Sequence, residues 1–177
     1  MLKKLMTNMN WKKNVLLWAL LFFGIALRIY HIIFIGFSAP YGRGGLFLEF
    51  AEQIYKNNFF LPYSVGFYST GQIPFLYPPL AFYIQSILIY VFKIPELFVN
   101  NMLPTVFMLL SLIPMGLLLS RNSGKREVFL FSFGLYLLIP SFFKQQVEGG
   151  GIAEGVGTFM IHWLLLALSE MQKHEHT

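Results

Sequence analysis

Eight glutamates carry all the side-chain acidity of this 177-residue chain, which contains no aspartate and no cysteine. Disulfides and thiolate metal sites are therefore excluded. Glu49 and Glu52 stand three apart on a short segment with Leu46, Phe50 and Ile54 on its apolar side. That spacing predicts an amphipathic helix carrying two carboxylates. Glu49 could take a proton from an acceptor hydroxyl or hold a divalent cation. The plain alternative is a solvated face, with Glu52 paired to Lys56 one turn on. Glu148 and Glu154 flank Gly149-Gly150-Gly151 and form a second acidic candidate. Gly151 and Gly155 at four-residue spacing equally suit close helix packing.

Two arginines complete the chemistry. Arg28 interrupts an apolar run, and an ionisable group at membrane depth is a functional candidate by default. Its forked guanidinium suits a lipid-linked phosphate, and its long stem equally suits snorkelling to water. Arg43 lies in a turn with Gly42, Gly44 and Gly45, where a guanidinium and backbone N–H groups can meet a phosphate. The turn matches no nucleotide fingerprint. His162 is isolated beside Trp163, and a bond across helices is expected of it rather than a metal. No Ser-His-acid triad, P-loop, zinc spacing or dinucleotide motif is present.

The elements that must position these residues are membrane elements. Hydrophobic residues make up 56% of the chain and charged residues 12%, against about a quarter charged in soluble domains. The net charge of +5 comes from basic residues at the ends of apolar runs, which excludes a nucleic-acid reading and points to membrane orientation. The run from Val15 to Phe37 is long enough to cross a hydrocarbon core, which takes about 20 residues. A cleaved signal peptide is its rival, but no A-x-A site follows and the hydrophobicity resumes at Ile32. Further apolar runs cover Met102–Leu119, Val128–Phe143 and Val156–Leu168.

The segment Pro74–Phe92 is apolar enough to be a fifth span, and charge bias decides against it. If it crossed, six basic residues would lie on each side, leaving out Arg28. If it lies at the outer interface, eight are inside (Lys3, Lys4, Lys12, Lys13, Arg121, Lys125, Arg126 and Lys173) and four outside (Arg43, Lys56, Lys93 and Lys144). The expectation is an all-α polytopic protein of the cytoplasmic (inner) membrane, with four spans, a large outer loop containing juxtamembrane helices, and a cytoplasmic N-terminus. The predicted order is a cytoplasmic 1–13, a span at 14–37, and an outer loop at 38–100 holding an amphipathic helix at 44–57 and an interfacial helix at 78–92. A span at 101–119, a cytoplasmic turn at 120–127 and a span at 128–143 follow. An outer loop at 144–155, a span at 156–169 and a cytoplasmic tail at 170–177 complete it. Five of the eight glutamates then lie in the two outer loops.

Several segments carry a resemblance: Leu27-Arg28-Ile29-Tyr30, Gly44-Gly45-Leu46-Phe47, Leu61-Pro62, Gly71-Gln72-Ile73-Pro74-Phe75 and Tyr77-Pro78-Pro79-Leu80. Together with Gly149-Gly150-Gly151 and Gly155-Val156-Gly157, they resemble the amino-terminal part of GT-C membrane glycosyltransferases, the relatives of protein O-mannosyltransferases and aminoarabinose transferases. The resemblance covers most of the chain and the front third to half of a full-length family member. It implies inverting sugar transfer from a polyprenyl-phosphate donor on the non-cytoplasmic face. It also implies an acid in the first outer loop acting as base or metal ligand, and a second acidic site in the next. Glu49, Glu148 and Glu154 would be those acids, with Arg28, Arg43 and Tyr77 near the donor. In the family an aspartate generally precedes the paired glycines, and Arg43 occupies that place here. The alternative function is a non-catalytic remnant or membrane subunit that binds a lipid carrier or partner helices.

Overall fold

The computed structural model of the protein describes residues 15–35, 44–66, 73–125, 127–139 and 151–175. Among them the architecture is all-α except for one two-stranded ladder. Helix α1 runs Val15–Ile35, and α2 runs Gly44–Lys56. Strands β1 (Ser64–Val65) and β2 (Ile73–Pro74) pair antiparallel, Ser64 opposite Pro74 and Val65 opposite Ile73. Helix α3 covers Leu80–Val91, with its last turn, Ile87–Val91, wound as a π-helix. Helices α4 (Glu96–Ser123), α5 (Glu127–Leu138) and α6 (Ile152–Glu175) complete the order.

Two helices, Glu96–Ser123 and Ile152–Gln172, are long and apolar enough to cross a membrane by length and composition. Both α4 and α6 exceed the predicted spans 101–119 and 156–169 at each end. The polar residues that looked like span ends find partners within the fold. Asn100 accepts a hydrogen bond from Gln85 Nε2 at 3.0 Å, and Glu170 forms an ion pair with Arg121. Residues 152–155, expected in a loop, form the first turn of α6. The cytoplasmic turn expected at 120–127 is shorter. Gly124, at φ 66°, ends α4 in the left-handed conformation that glycine adopts without a Cβ clash.

Small residues determine how the helices meet. A Cβ added to Gly24 would lie 2.6 Å from Leu137 Cβ, and one on Gly134 would lie 2.5 Å from Leu20 Cδ2. Each glycine receives the leucine of the other helix, so the backbones approach closely. Because Leu20 meets Gly134 and Gly24 meets Leu137, α1 and α5 run parallel. Helices α4 and α6 are also parallel. Gly155 sits against Pro104, the Phe107 and Phe159 rings lie 5.4 Å apart, and Arg121 pairs with Glu170. Helices α4 and α5 form the antiparallel hairpin, with Phe129 covering Gly116.

The segment between α1 and α4 folds as a small aromatic domain. Phe47, Phe50, Ala51 and Ile54 recur at helical spacing and bury one side of α2. Phe50 lies 4.8 Å from Phe75 and 5.2 Å from Phe82, ring centre to ring centre. This cluster is continuous with Val99 and Leu103 of α4 and with Ile152 and Val156 of α6. The domain therefore sits on the adjoining ends of α4 and α6.

Candidate functional site

The polar side of α2 is built by the same periodicity that buries the other side. Glu49, Glu52, Gln53 and Lys56 share it, and each is tied to a neighbour one turn away. Gln53 Nε2 donates to Glu49 Oε1 at 2.7 Å, and Lys56 Nζ lies 2.8 Å from Glu52 Oε1. The Glu52 carboxylate, and Glu49 more remotely, raise the affinity of Lys56 for its proton. The Glu52–Lys56 pair anticipated from sequence is present. Being largely exposed, it adds little to stability.

A tyrosine enters this cluster from α3. The rings of Tyr90 and Tyr55 stack with centres 4.6 Å apart, and Tyr90 Oη lies 3.5 Å from Glu96 Oε1. Burial first, then the carboxylates of Glu96, Glu52 and Glu49, push the Tyr90 hydroxyl well above its ordinary value. Three glutamates from two regions of sequence thus share one neighbourhood. Among the described residues, no group of three His, Cys, Asp or Glu side chains is placed to hold a metal ion.

The loop after α2 shapes the end of this face. Asn58 and Phe59 both adopt left-handed backbone angles, at φ 52° and 60°. Asparagine tolerates that region, whereas Phe59 is strained by about 1–3 kcal/mol. Compensation comes from the Phe59 amide, which donates to Ile54 O at 2.9 Å, and from Tyr83 Oη, which donates to Phe59 O at 3.1 Å. The chain consequently turns back across the C-terminal end of α2.

The remaining candidates take separate places. Arg28 is 2% exposed and donates through Nη2 to Leu137 O at 2.8 Å. A guanidinium at that end of α5 satisfies a terminal carbonyl and complements the helix dipole. Tyr77 lies in the aromatic core, edge-on to Phe47 at 5.2 Å. Tyr83 and Tyr90, in the helix expected at the interface, also make protein contacts. Glu154 is exposed in the first turn of α6, about 200° round the helix from the buried Ile152 and Val156. Gly155 packs on Pro104, which accounts for that glycine. His162 lies 6.3 Å from the Tyr136 ring across helices. Arg43 and Glu148 lie outside the described residues.

Sequence reasoning singled out Glu49 and missed Gln53, although its place four residues on was a readable signal. Tyr90 and Glu96 carried no such signal, because only tertiary folding brings them to α2. In comparisons with known proteins, no family model matches the chain, and no curated protein or solved structure matches it.

Proposed function

We propose that the protein is the membrane module of a glycosyltransferase that takes a sugar from a polyprenyl-phosphate donor on the outer face, with Glu49 as its acid–base residue. The observation that carries this reading is the ordered aromatic domain seated on α4 and α6, which presents Glu49 on its polar face with the carboxylate held by Gln53. A positioned carboxylate is what proton removal from an acceptor hydroxyl requires. Arg43 and the second-loop acids Glu148 and Glu154 belong to the same proposal, as contacts for donor phosphate and acceptor.

The accompanying topology has four spans, both ends in the cytoplasm, and α3 at the outer interface. Parallel α1 and α5 support it. Were α3 to cross, α5 would run opposite to α1.

The test is release of sugar from a polyprenyl-phosphate donor by purified protein. Glu49→Gln keeps an oxygen for Gln53 and removes the base, so release is expected to fall by about 10²–10⁴-fold. Undiminished release would remove Glu49 from the mechanism. A non-catalytic subunit binding a lipid carrier or partner helices is the second reading. It is favoured by Arg28, whose guanidinium bonds a helix end. Absence of release together with retained carrier binding would select it.

A further inference from the structure

Where the chain turns back over the end of α2, a depression of about 270 Å³ is lined by Gln53, Lys56, Asn57, Pro62, Tyr63 and Ser64. Drug-sized ligands occupy about 300–1,000 Å³, so this space suits a single small ring. Its polar side chains are already oriented by the protein. Gln53 Nε2 is engaged by Glu49, which leaves the Gln53 Oε1 lone pairs as acceptors. Asn57 Nδ2 donates to Phe60 O at 3.0 Å, which leaves Asn57 Oδ1 in the same state. Lys56 is held by Glu52 and retains further N–H donors. Beside them stands Tyr63, 92% exposed, an aromatic face with little protein covering it.

The charge balance narrows the ligand. Lys56 is paired, and Glu49 and Glu52 lie on the same face, so an anion finds no uncompensated cation here. Two fixed carbonyl acceptors, an ammonium donor and an aromatic face suit a neutral polyhydroxyl ring, whose hydroxyls both donate and accept and whose C–H face is apolar.

We propose that this depression is a sugar-binding subsite, with Gln53 and Asn57 accepting from ring hydroxyls, Lys56 donating, and Tyr63 stacking on the ring. The choice of a sugar among neutral polyhydroxyl ligands rests on the glycosyl-transfer reading. Because Gln53, Lys56 and Asn57 are held before the ligand arrives, their ordering cost on binding is small.

The test is saturation-transfer NMR on the full chain in detergent micelles, with the methyl glycosides of glucose, mannose and N-acetylglucosamine as probes. At least one is expected to bind, and Tyr63→Ala and Gln53→Ala are each expected to weaken it roughly fivefold, the loss typical of one neutral contact. Leu76→Ala, exposed and outside the depression, is expected to leave binding unchanged. Tyr63 is too exposed for its truncation to unfold the protein, so that variant stays informative. Absence of binding by all three glycosides, or binding that persists undiminished in both variants, overturns the subsite. Displacement of the bound glycoside by polyprenyl-phosphate-linked glucose assigns the sugar to a lipid-linked headgroup. Lack of displacement assigns it to a soluble glycan, and either result supports the subsite. Glycoside binding without sugar release from the donor overturns the transferase reading alone.

Discussion

The Arg28 guanidinium donates to the carbonyl oxygen of Leu137 at 2.8 Å, joining residues 109 apart in sequence at the meeting point of two parallel helices. A helix leaves its last carbonyls without intrahelical donors, and a buried one must find a partner elsewhere. Arg28 supplies it, one turn beyond the point where Gly24 admits the Leu137 side chain.

Replacing Arg28 with Met should therefore act first on stability. Removal of the charged donor leaves the Leu137 carbonyl unmet, at a cost of about 1.5–3 kcal/mol. Denaturation in detergent would measure it. A variant of unchanged stability that loses donor binding would instead give Arg28 the phosphate role.

The parallel pairing of α1 and α5 can be tested with cysteines, because the chain has none of its own. Oxidation should crosslink Leu20→Cys with Gly134→Cys, and Gly24→Cys with Leu137→Cys. The crossed combinations, 20 with 137 and 24 with 134, should crosslink poorly. Preference for the crossed pairs would reverse α5 and, with it, the four-span topology. In the same background, Ser123→Cys should resist a membrane-impermeant label applied from outside.

Alkaline pH should loosen the aromatic domain. Tyr90 holds its proton more tightly in the folded protein than at its ordinary value of 10.0. Between those two values the folded state binds more protons than the unfolded one, so stability falls as pH rises. The contribution is whole below pH 10 and declines above it. Lys56, also raised from 10.5, has the same sign. Thermal unfolding from pH 8 to 11 should show this decline, and Tyr90→Phe should make it shallower. An equal slope in the variant would remove Tyr90 as its source.

Gln85 and Asn100 are both fully buried, and their single bond leaves Gln85 Oε1 and Asn100 Nδ2 unmatched by protein. Gln85→Leu should cost about 1–3 kcal/mol, because it strands the Asn100 amide. Adding Asn100→Leu should recover much of that loss, since an apolar pair leaves nothing to satisfy. A double-mutant cycle in urea measures the coupling, and additive losses would show that the two amides act independently.

Much of the fold was legible because it depends on neighbours in sequence. The 3.6-residue period of Phe47, Phe50 and Ile54 placed α2 within one residue of its observed end, and the helix expected at 78–92 corresponds to α3, Leu80–Val91. Span ends were less legible. Asn100 and Glu170 look like boundaries in a linear reading, yet both lie within longer helices, α4 and α6, where Gln85 and Arg121 meet them.

The sequence by itself determined the membrane-type composition, the all-α class, the amphipathic helix and its carboxylates. Those properties follow from side-chain polarity and local period. Tertiary structure alone decided that Arg28 ends on Leu137, that Tyr77 joins the aromatic core, and that Glu96 and Tyr90 approach Glu49 and Glu52. The reason is physical. A buried donor, ring or carboxylate takes the partner that packing brings to it, and that partner can lie a hundred residues away.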